Sequence, residues 1–276
     1  MEDFYGNYQI ANVKNDISLL TEEVNYRGYA ICEDVFDDQA CNLMVKKLIE
    51  LNDRQNEVFG FQTLSNIGEA NQVRLPLSKD RTFFDLIIRN EKILSILDHL
   101  FFKSKSFYVL NQQNAVINSP KKKHNQAKWH RDFPYFPGIL PQGVSYSFLI
   151  ALTDFNEDTG GTKILPFSHL KSEIPSWDYI KKNTVDAKCR RGSIIVFDSQ
   201  VFHCAGNNVS KENRVAINNI FTNPLFRQQI VIPESLARNS IQTELTDKEK
   251  EILGYKSWSP SNDEEFKKER IENRGS

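Results

Sequence analysis

The residues best suited to chemistry are His130 and Asp132, two apart in Lys128-Trp129-His130-Arg131-Asp132-Phe133, with His203 far downstream and Arg214 eleven residues beyond it. Side chains along a β-strand alternate between faces, so a histidine and a carboxylate at i and i+2 project together. A His and an Asp side by side, joined by a second His from elsewhere, make the 2-His-1-carboxylate set that holds non-haem Fe(II) and leaves coordination positions open. Open positions on iron imply oxygen chemistry, whereas a closed four-ligand site would imply a structural metal. An H-x-D pattern alone also describes an ordinary surface pair, so the other two residues carry the weight.

His203 follows Gly192-Ser193-Ile194-Ile195-Val196-Phe197-Asp198, which reads as a buried strand delivering polar residues toward its end. Arg214 opens the otherwise apolar Arg214-Val215-Ala216-Ile217-Asn218. A guanidinium pointing into a barrel needs a partner, because an unpaired buried charge is costly. The natural partner is a carboxylate held bidentately. It is either an internal one such as Asp198 or that of a cosubstrate.

Positioning these residues takes strands. From Ser106 onward the chain reads as β: Phe107-Tyr108-Val109-Leu110, then Ser145 to Thr153, Thr162 to Leu165 after a Gly160-Gly161 turn, and Ser193 to His203 with Arg214 to Thr222 as its antiparallel partner. Such strands, spaced by Gly, Asn and Pro turns, suggest a mainly β fold, a jelly roll with flanking α-helices. Before it lie a helix over about Ile17–Tyr26 ending at Gly28, a strand Tyr29–Cys32, a helix capped by Asp37 or Asp38, and a helix from Glu91 to Phe101. Asn52 to Asp80 reads as a polar, irregular stretch.

The expected layout is one domain over 1–276. A mostly helical part, 1–105, packs on the sheet, the core is 106–225, and an extension over 226–276 has one helix, with Thr246 and Glu249 in capping-box register, and a charged, disordered end.

With 35 basic and 36 acidic side chains the formal net charge is −1, which gives no reason to expect nucleic acid or an anionic membrane as partner. The acidic start lacks a signal-peptide pattern and no run is long enough to span a membrane, so a cytoplasmic location is expected. Four cysteines without CxxC spacing fit neither a disulfide framework nor a zinc cluster.

Several blocks together resemble the phytanoyl-CoA dioxygenase family of Fe(II)/2-oxoglutarate oxygenases. They are Trp129-His130-Arg131-Asp132, Gly160-Gly161-Thr162-Lys163-Ile164-Leu165-Pro166-Phe167-Ser168-His169, Arg191-Gly192-Ser193 through His203, Arg214, and Arg227-Gln228-Gln229. The resemblance covers roughly residues 18–255. It implies a double-stranded β-helix, cupin-like, with Fe(II) on His130, Asp132 and His203, and Arg214 on the distal carboxylate of 2-oxoglutarate. Ser147 falls where some relatives place a hydroxyl near the cosubstrate. Relatives often have a Ser two residues after the second histidine, where this chain has Ala205. Halogenating relatives replace the carboxylate by a small residue, so Asp132 argues for hydroxylation or a related oxidation; the expected reaction is hydroxylation of an unactivated C–H bond with O2, releasing succinate and CO2.

The implied substrate is a small organic molecule: an acyl-CoA, an amino-acid derivative or a natural-product intermediate. Phe133 and Tyr135, by the loop after Asp132, are candidates for the mouth of the site, although Phe133 has the strand parity that faces away. His169 and Cys204 are read as structural, and His124 and Lys121-Lys122-Lys123 as a solvated loop. Two other readings of the same residues are a 2-oxoglutarate-independent cupin-type metalloenzyme and a non-catalytic jelly-roll binding module.

Overall fold

The computed structural model describes residues 15–102, 107–121, 125–136, 138–239, 244–257 and 259–272. Helix α1 (Asp16–Arg27) begins where the Asn15 side chain accepts the Ser18 amide and ends at Gly28, in the left-handed region at φ 93°. A Cβ on Gly28 would lie 2.5 Å from Val201 Cγ2 and 2.6 Å from His169 Nδ1, so glycine alone permits this turn into β1 (Tyr29–Cys32). Asp37 accepts the Ala40 amide and starts α2 (Asp38–Phe59), which buries Cys41, Met44, Leu48 and Leu51 at helical spacing.

The stretch expected to be irregular is ordered. Helix α2 runs on to Phe59, α3 (Phe61–Asn66) and β2 (Gln72–Arg74) follow, and α4 (Arg81–Phe83) leads into a wide helical turn over Phe84–Ile88. Its polar residues face solvent or pair locally: Gln55 donates to the Gln72 carbonyl at 2.8 Å, and Arg74 pairs with Glu69. Helix α5 (Glu91–Phe101), capped by Asn90, buries Ile93, Ile96, Leu97, Leu100 and Phe101.

The remaining strands are β3 (Val109–Asn118), β4 (Ser145–Ala151), β5 (Thr162–Ile164), β6 (Val185–Ala187), β7 (Ile194–Asp198), β8 (His203–Ala205) and β9 (Arg214–Thr222), with α6 (Trp177–Asn183) before β6. Every ladder is antiparallel. One sheet has the order β1-β7-β4-β9-β3-β2 and the other β6-β5-β8.

Period-two alternation sorts the large sheet's side chains into two cores. Phe148, Ile150, Ile194, Val196, Val215 and Ile217 pack with α2 and α5. Leu149, Ala151, Ile195, Phe197 and Ala216 turn the other way and pack with Phe155 and with Ile164 of the small sheet. The order is helices, large sheet, small sheet, and Ser147, Arg214 and Asn218 have the parity that faces the small sheet.

Several expectations need correction. The fold is mixed α/β with antiparallel sheets rather than mainly β, because helices cover the outer face of the large sheet and carry more residues than the strands. β9 pairs with β3 and β4 instead of the strand before it, since β8 leaves for the other sheet between them. Gly160-Gly161 is accordingly part of a crossover between sheets. Beyond residue 226 the described residues form three helices, α7 (Ile232–Arg238), α8 (Asp247–Leu253) and α9 (Asp263–Glu272). The Thr246–Glu249 capping box is present, and the Lys267–Asp263 pair at 2.6 Å supports α9, where composition alone suggested disorder. Among the described residues no helix is long and apolar enough to cross a membrane.

Candidate metal centre

His130 lies in an isolated bridge instead of a strand. Its amide donates to the His203 carbonyl and the His203 amide donates back, both at 3.0 Å. Two residues on, the Asp132 amide donates to the Ser199 carbonyl at 3.0 Å. This short pairing suffices to send His130 and Asp132 the same way. One ligand atom from each of His130, Asp132 and His203 lies within 4.8 Å of the others. The two imidazole centroids are 4.3 Å apart, and His203 Nε2 is 3.6 Å from Asp132 Oδ1.

Both rings are aimed by the main chain. His130 Nδ1 sits 2.7 Å from the Lys128 carbonyl, and His203 Nδ1 sits 3.0 Å from that of Val201. A carbonyl only accepts, so Nδ1 carries the proton in each ring and both Nε2 lone pairs remain for a metal. Burial lowers the His203 pKa against the pull of Asp132, keeping the ring in the neutral, ligating form. Asp132 is held on one oxygen: Ser147 Oγ donates to Oδ2, and Asn218 Nδ2 approaches it at 3.4 Å.

Arg214 is 3% exposed, and its Nε and Nη2 have no hydrogen-bond partner among the described residues. The guanidinium lies 4.8 Å over the Phe155 ring, and burial pushes its pKa down to about 10. Asp198 is not its counter-ion. That carboxyl accepts the Gln200 amide at 2.8 Å, burial pushes it up to about 7, and the cation acting on it is Arg131. A cavity bounded by His130, His203, Thr162, Ala205, Asn218 and Arg214 joins the ligand cluster to the guanidinium. Two imidazoles and a carboxylate fit a first-row transition-metal ion such as Fe(II), and a buried guanidinium lining the same cavity fits a small carboxylate anion beside it.

The other expected residues fall in varied places. Ser147 spends its hydroxyl on Asp132 instead of presenting it to the cavity. The Phe133 ring packs against that of Phe226, tilted by 52° with centroids 5.3 Å apart, and Tyr135 is 97% exposed at the loop surface. Arg131 points away from the centre, as its parity predicted, and donates to the Ser168, Lys171 and Ser172 carbonyls. His169 packs under Gly28, 3.3 Å from the Asn25 carbonyl. All four cysteines are buried and free. His124, Lys122 and Lys123 lie outside the described residues.

Thr162, Asn218 and Ser199 escaped the sequence reading. Thr162 is the register partner of Ala205, so a hydroxyl borders the cavity beside the position where Ala205 lacks one. Asn218 had a visible signal, a polar residue at even spacing from Arg214 along an apolar strand.

The model of the phytanoyl-CoA dioxygenase (PhyH) family matches residues 24–216. The uncharacterized protein Rv1501 of Mycobacterium tuberculosis (strain ATCC 25618 / H37Rv) is 31% identical over 264 residues, 92% of this chain and 93% of its own length. Dioxygenase olcK of Penicillium canescens is 27% identical over 188 residues, 65% of this chain and 59% of its own. Among solved structures, the epimerase SnoN in complex with Fe3+, alpha ketoglutarate and nogalamycin RO superposes with a TM-score of 0.59 at 18% identity, covering 78% of this chain and 87% of SnoN. The non-heme monooxygenase ThoJ superposes with a TM-score of 0.59 at 17% identity, covering 74% and 77%. At these identities the structures share the fold.

Proposed function

This chain belongs to the phytanoyl-CoA dioxygenase family, which makes it a non-haem iron, 2-oxoglutarate-dependent dioxygenase, and we propose that it hydroxylates an unactivated C–H bond of a small organic substrate. We read its two facing sheets as the halves of a double-stranded β-helix, a jelly roll. His130, Asp132 and His203 are the residues that would hold Fe(II), and Arg214 would hold the distal carboxylate of 2-oxoglutarate. The observation that carries this reading is the buried Arg214 guanidinium, which lines the same cavity as the ligand cluster and has two nitrogens without a hydrogen-bond partner among the described residues. A cation left so in a folded interior is explained by an anion that arrives later.

When bound, iron with 2-oxoglutarate and O2 supplies the oxidising power, releasing succinate and CO2. The chain's part is placement. Nδ1-to-carbonyl bonds orient both imidazoles, and Ser147 and Asn218 steady the carboxylate. Arg214 and Thr162 line the same cavity as His130 and His203, so a cosubstrate held by the guanidinium would lie beside the ligand cluster. The retained carboxylate at Asp132 supports hydroxylation.

Anaerobic titration with Fe(II) and 2-oxoglutarate tests the assignment. A weak visible band at about 500 nm, expected of this chelate on a facial triad, should appear only with both components. Iron binding without the band would point to a cosubstrate-independent metalloenzyme, and no iron binding to a binding module. Succinate release with candidate substrates, followed by product analysis, then tests hydroxylation.

A further inference from the structure

Three serines form one hydrogen-bonded line that ends on Asp132. Ser145 and Ser147 share a face of β4, and Ser199 sits in the turn after β7. All are buried, at 3%, 0% and 0% exposure. A buried hydroxyl without a partner is costly, so serines in a wholly buried strand call for an account. Ser145 Oγ lies 2.7 Å from Ser199 Oγ, Ser199 Oγ lies 3.0 Å from Ser147 Oγ, and Ser147 Oγ reaches Asp132 Oδ2.

Counting protons fixes the direction. An ionised carboxylate only accepts, so Ser147 donates to Asp132. With its one proton committed, Ser147 must accept from Ser199, and Ser199 in turn accepts from Ser145. The line therefore runs Ser145 to Ser199 to Ser147 to Asp132, with every hydroxyl dipole aligned toward the carboxylate and each bond polarising the next. Ser199 also grips Asp132 a second time, because its carbonyl accepts the Asp132 amide at 3.0 Å.

We propose that Ser199, acting through Ser147 and backed by Ser145, is a positioning residue that makes Asp132 a one-oxygen metal ligand. Oδ2 is committed to hydrogen bonds, which leaves Oδ1 as the oxygen facing His203 Nε2. The second carboxylate oxygen is thereby kept off the metal, and the positions needed by cosubstrate and O2 stay open. This inference rests on the ligand assignment made above.

The test reads metal binding without turnover. Metal-free wild type, S199A, S147A and S145A are titrated anaerobically with Fe(II), and with Co(II) for its d–d spectrum, while melting of each metal-free protein checks the fold. S199A and S147A should bind about 10- to 100-fold more weakly, the range for losing a ligand's supporting hydrogen bond, with shifted Co(II) bands. S145A, which loses only the distal donor, should lose less. Because S147A breaks the same line from the strand, it answers the question should S199A not fold. Folded S199A or S147A with affinity within about twofold of wild type and unshifted bands would overturn the positioning role alone. Wild type that binds neither metal would overturn the ligand assignment and this role with it.

Discussion

Replacing Arg214 by Met should stabilise the cosubstrate-free protein and remove most of its response to 2-oxoglutarate. Two guanidinium nitrogens are buried without partners among the described residues, and each such donor costs about 1–3 kcal/mol. The Phe155 ring beneath the cation returns about 0.5–2 kcal/mol, and Met keeps most of the apolar stem. A net gain of about 2 kcal/mol follows, or about 4–8 °C in melting temperature at 2–4 °C per kcal/mol for a chain of this size class. The cosubstrate effect runs the other way. A bidentate contact of two charge-assisted bonds, about 1.5–3 kcal/mol each, predicts a loss of about 3–6 kcal/mol on substitution, roughly 10²- to 10⁴-fold in Kd. Thermal shift of metal-loaded protein with and without 2-oxoglutarate reads both. At 100 times its Kd the cosubstrate stabilises wild type by about 2.7 kcal/mol, and at the same concentration R214M should show at most about 0.4 kcal/mol. An R214M protein that melts below wild type yet keeps the 2-oxoglutarate shift would refute the reasoning, because the guanidinium would then be a satisfied structural group.

Asp132→Ala should abolish succinate formation, and a variant that retains the wild-type rate sinks the ligand assignment. Burial raises Asp198 to about 7, above its unfolded value of about 3.9, so the folded chain holds that proton more tightly. The stabilisation is complete below about pH 4 and is lost as pH rises to about 7, on the order of 4 kcal/mol in all. Asp198→Asn should therefore flatten the fall in urea midpoint between pH 5 and 8, and an unchanged slope would show that this carboxyl is not responsible. Gly160 has φ +70°, and a Cβ there would meet the Gly206 carbonyl oxygen at 2.5 Å and Asn207 carbon at 2.7 Å. Backbone cannot yield as a side chain does, so Gly160→Ala should cost about 2–4 kcal/mol and weaken iron binding, because Gly206 adjoins the strand that carries His203. A melting temperature within about 1 °C of wild type would contradict the packing described.

The parts of the site legible in sequence were those written in short-range spacing. His130 and Asp132 converge by an i, i+2 relation that needs only a locally extended backbone, and an arginine opening an apolar strand announces itself as a buried charge. The cap at Asp37, the stop at Gly28 and the Thr246–Glu249 box were equally local. What stayed hidden depends on which strands lie side by side. Ser199 reaches Asp132 only because the turn after β7 lies against β4 and the His130 loop. Thr162 meets the Arg214 cavity only because β5 pairs with β8 in the second sheet. The mistaken pairing of β9 has the same source: strands consecutive in sequence usually pair, but here the chain visits the other sheet between them. Residues 52–80 looked like loop because the polar face of α2 and locally paired side chains give no apolar period to read.

The carbonyls of Lys128 and Val201 make the aim of both imidazoles a property of the main chain. Neighbouring side chains are then not needed to point the rings, and the loop that follows Asp132 can change its composition while the donor set stays put. Such a separation of main-chain geometry from side-chain composition is a form of modularity, in which the loop can be rewritten and the centre need not be rebuilt. The exposed Tyr135 and the Phe133–Phe226 pair lie on the revisable side of that divide.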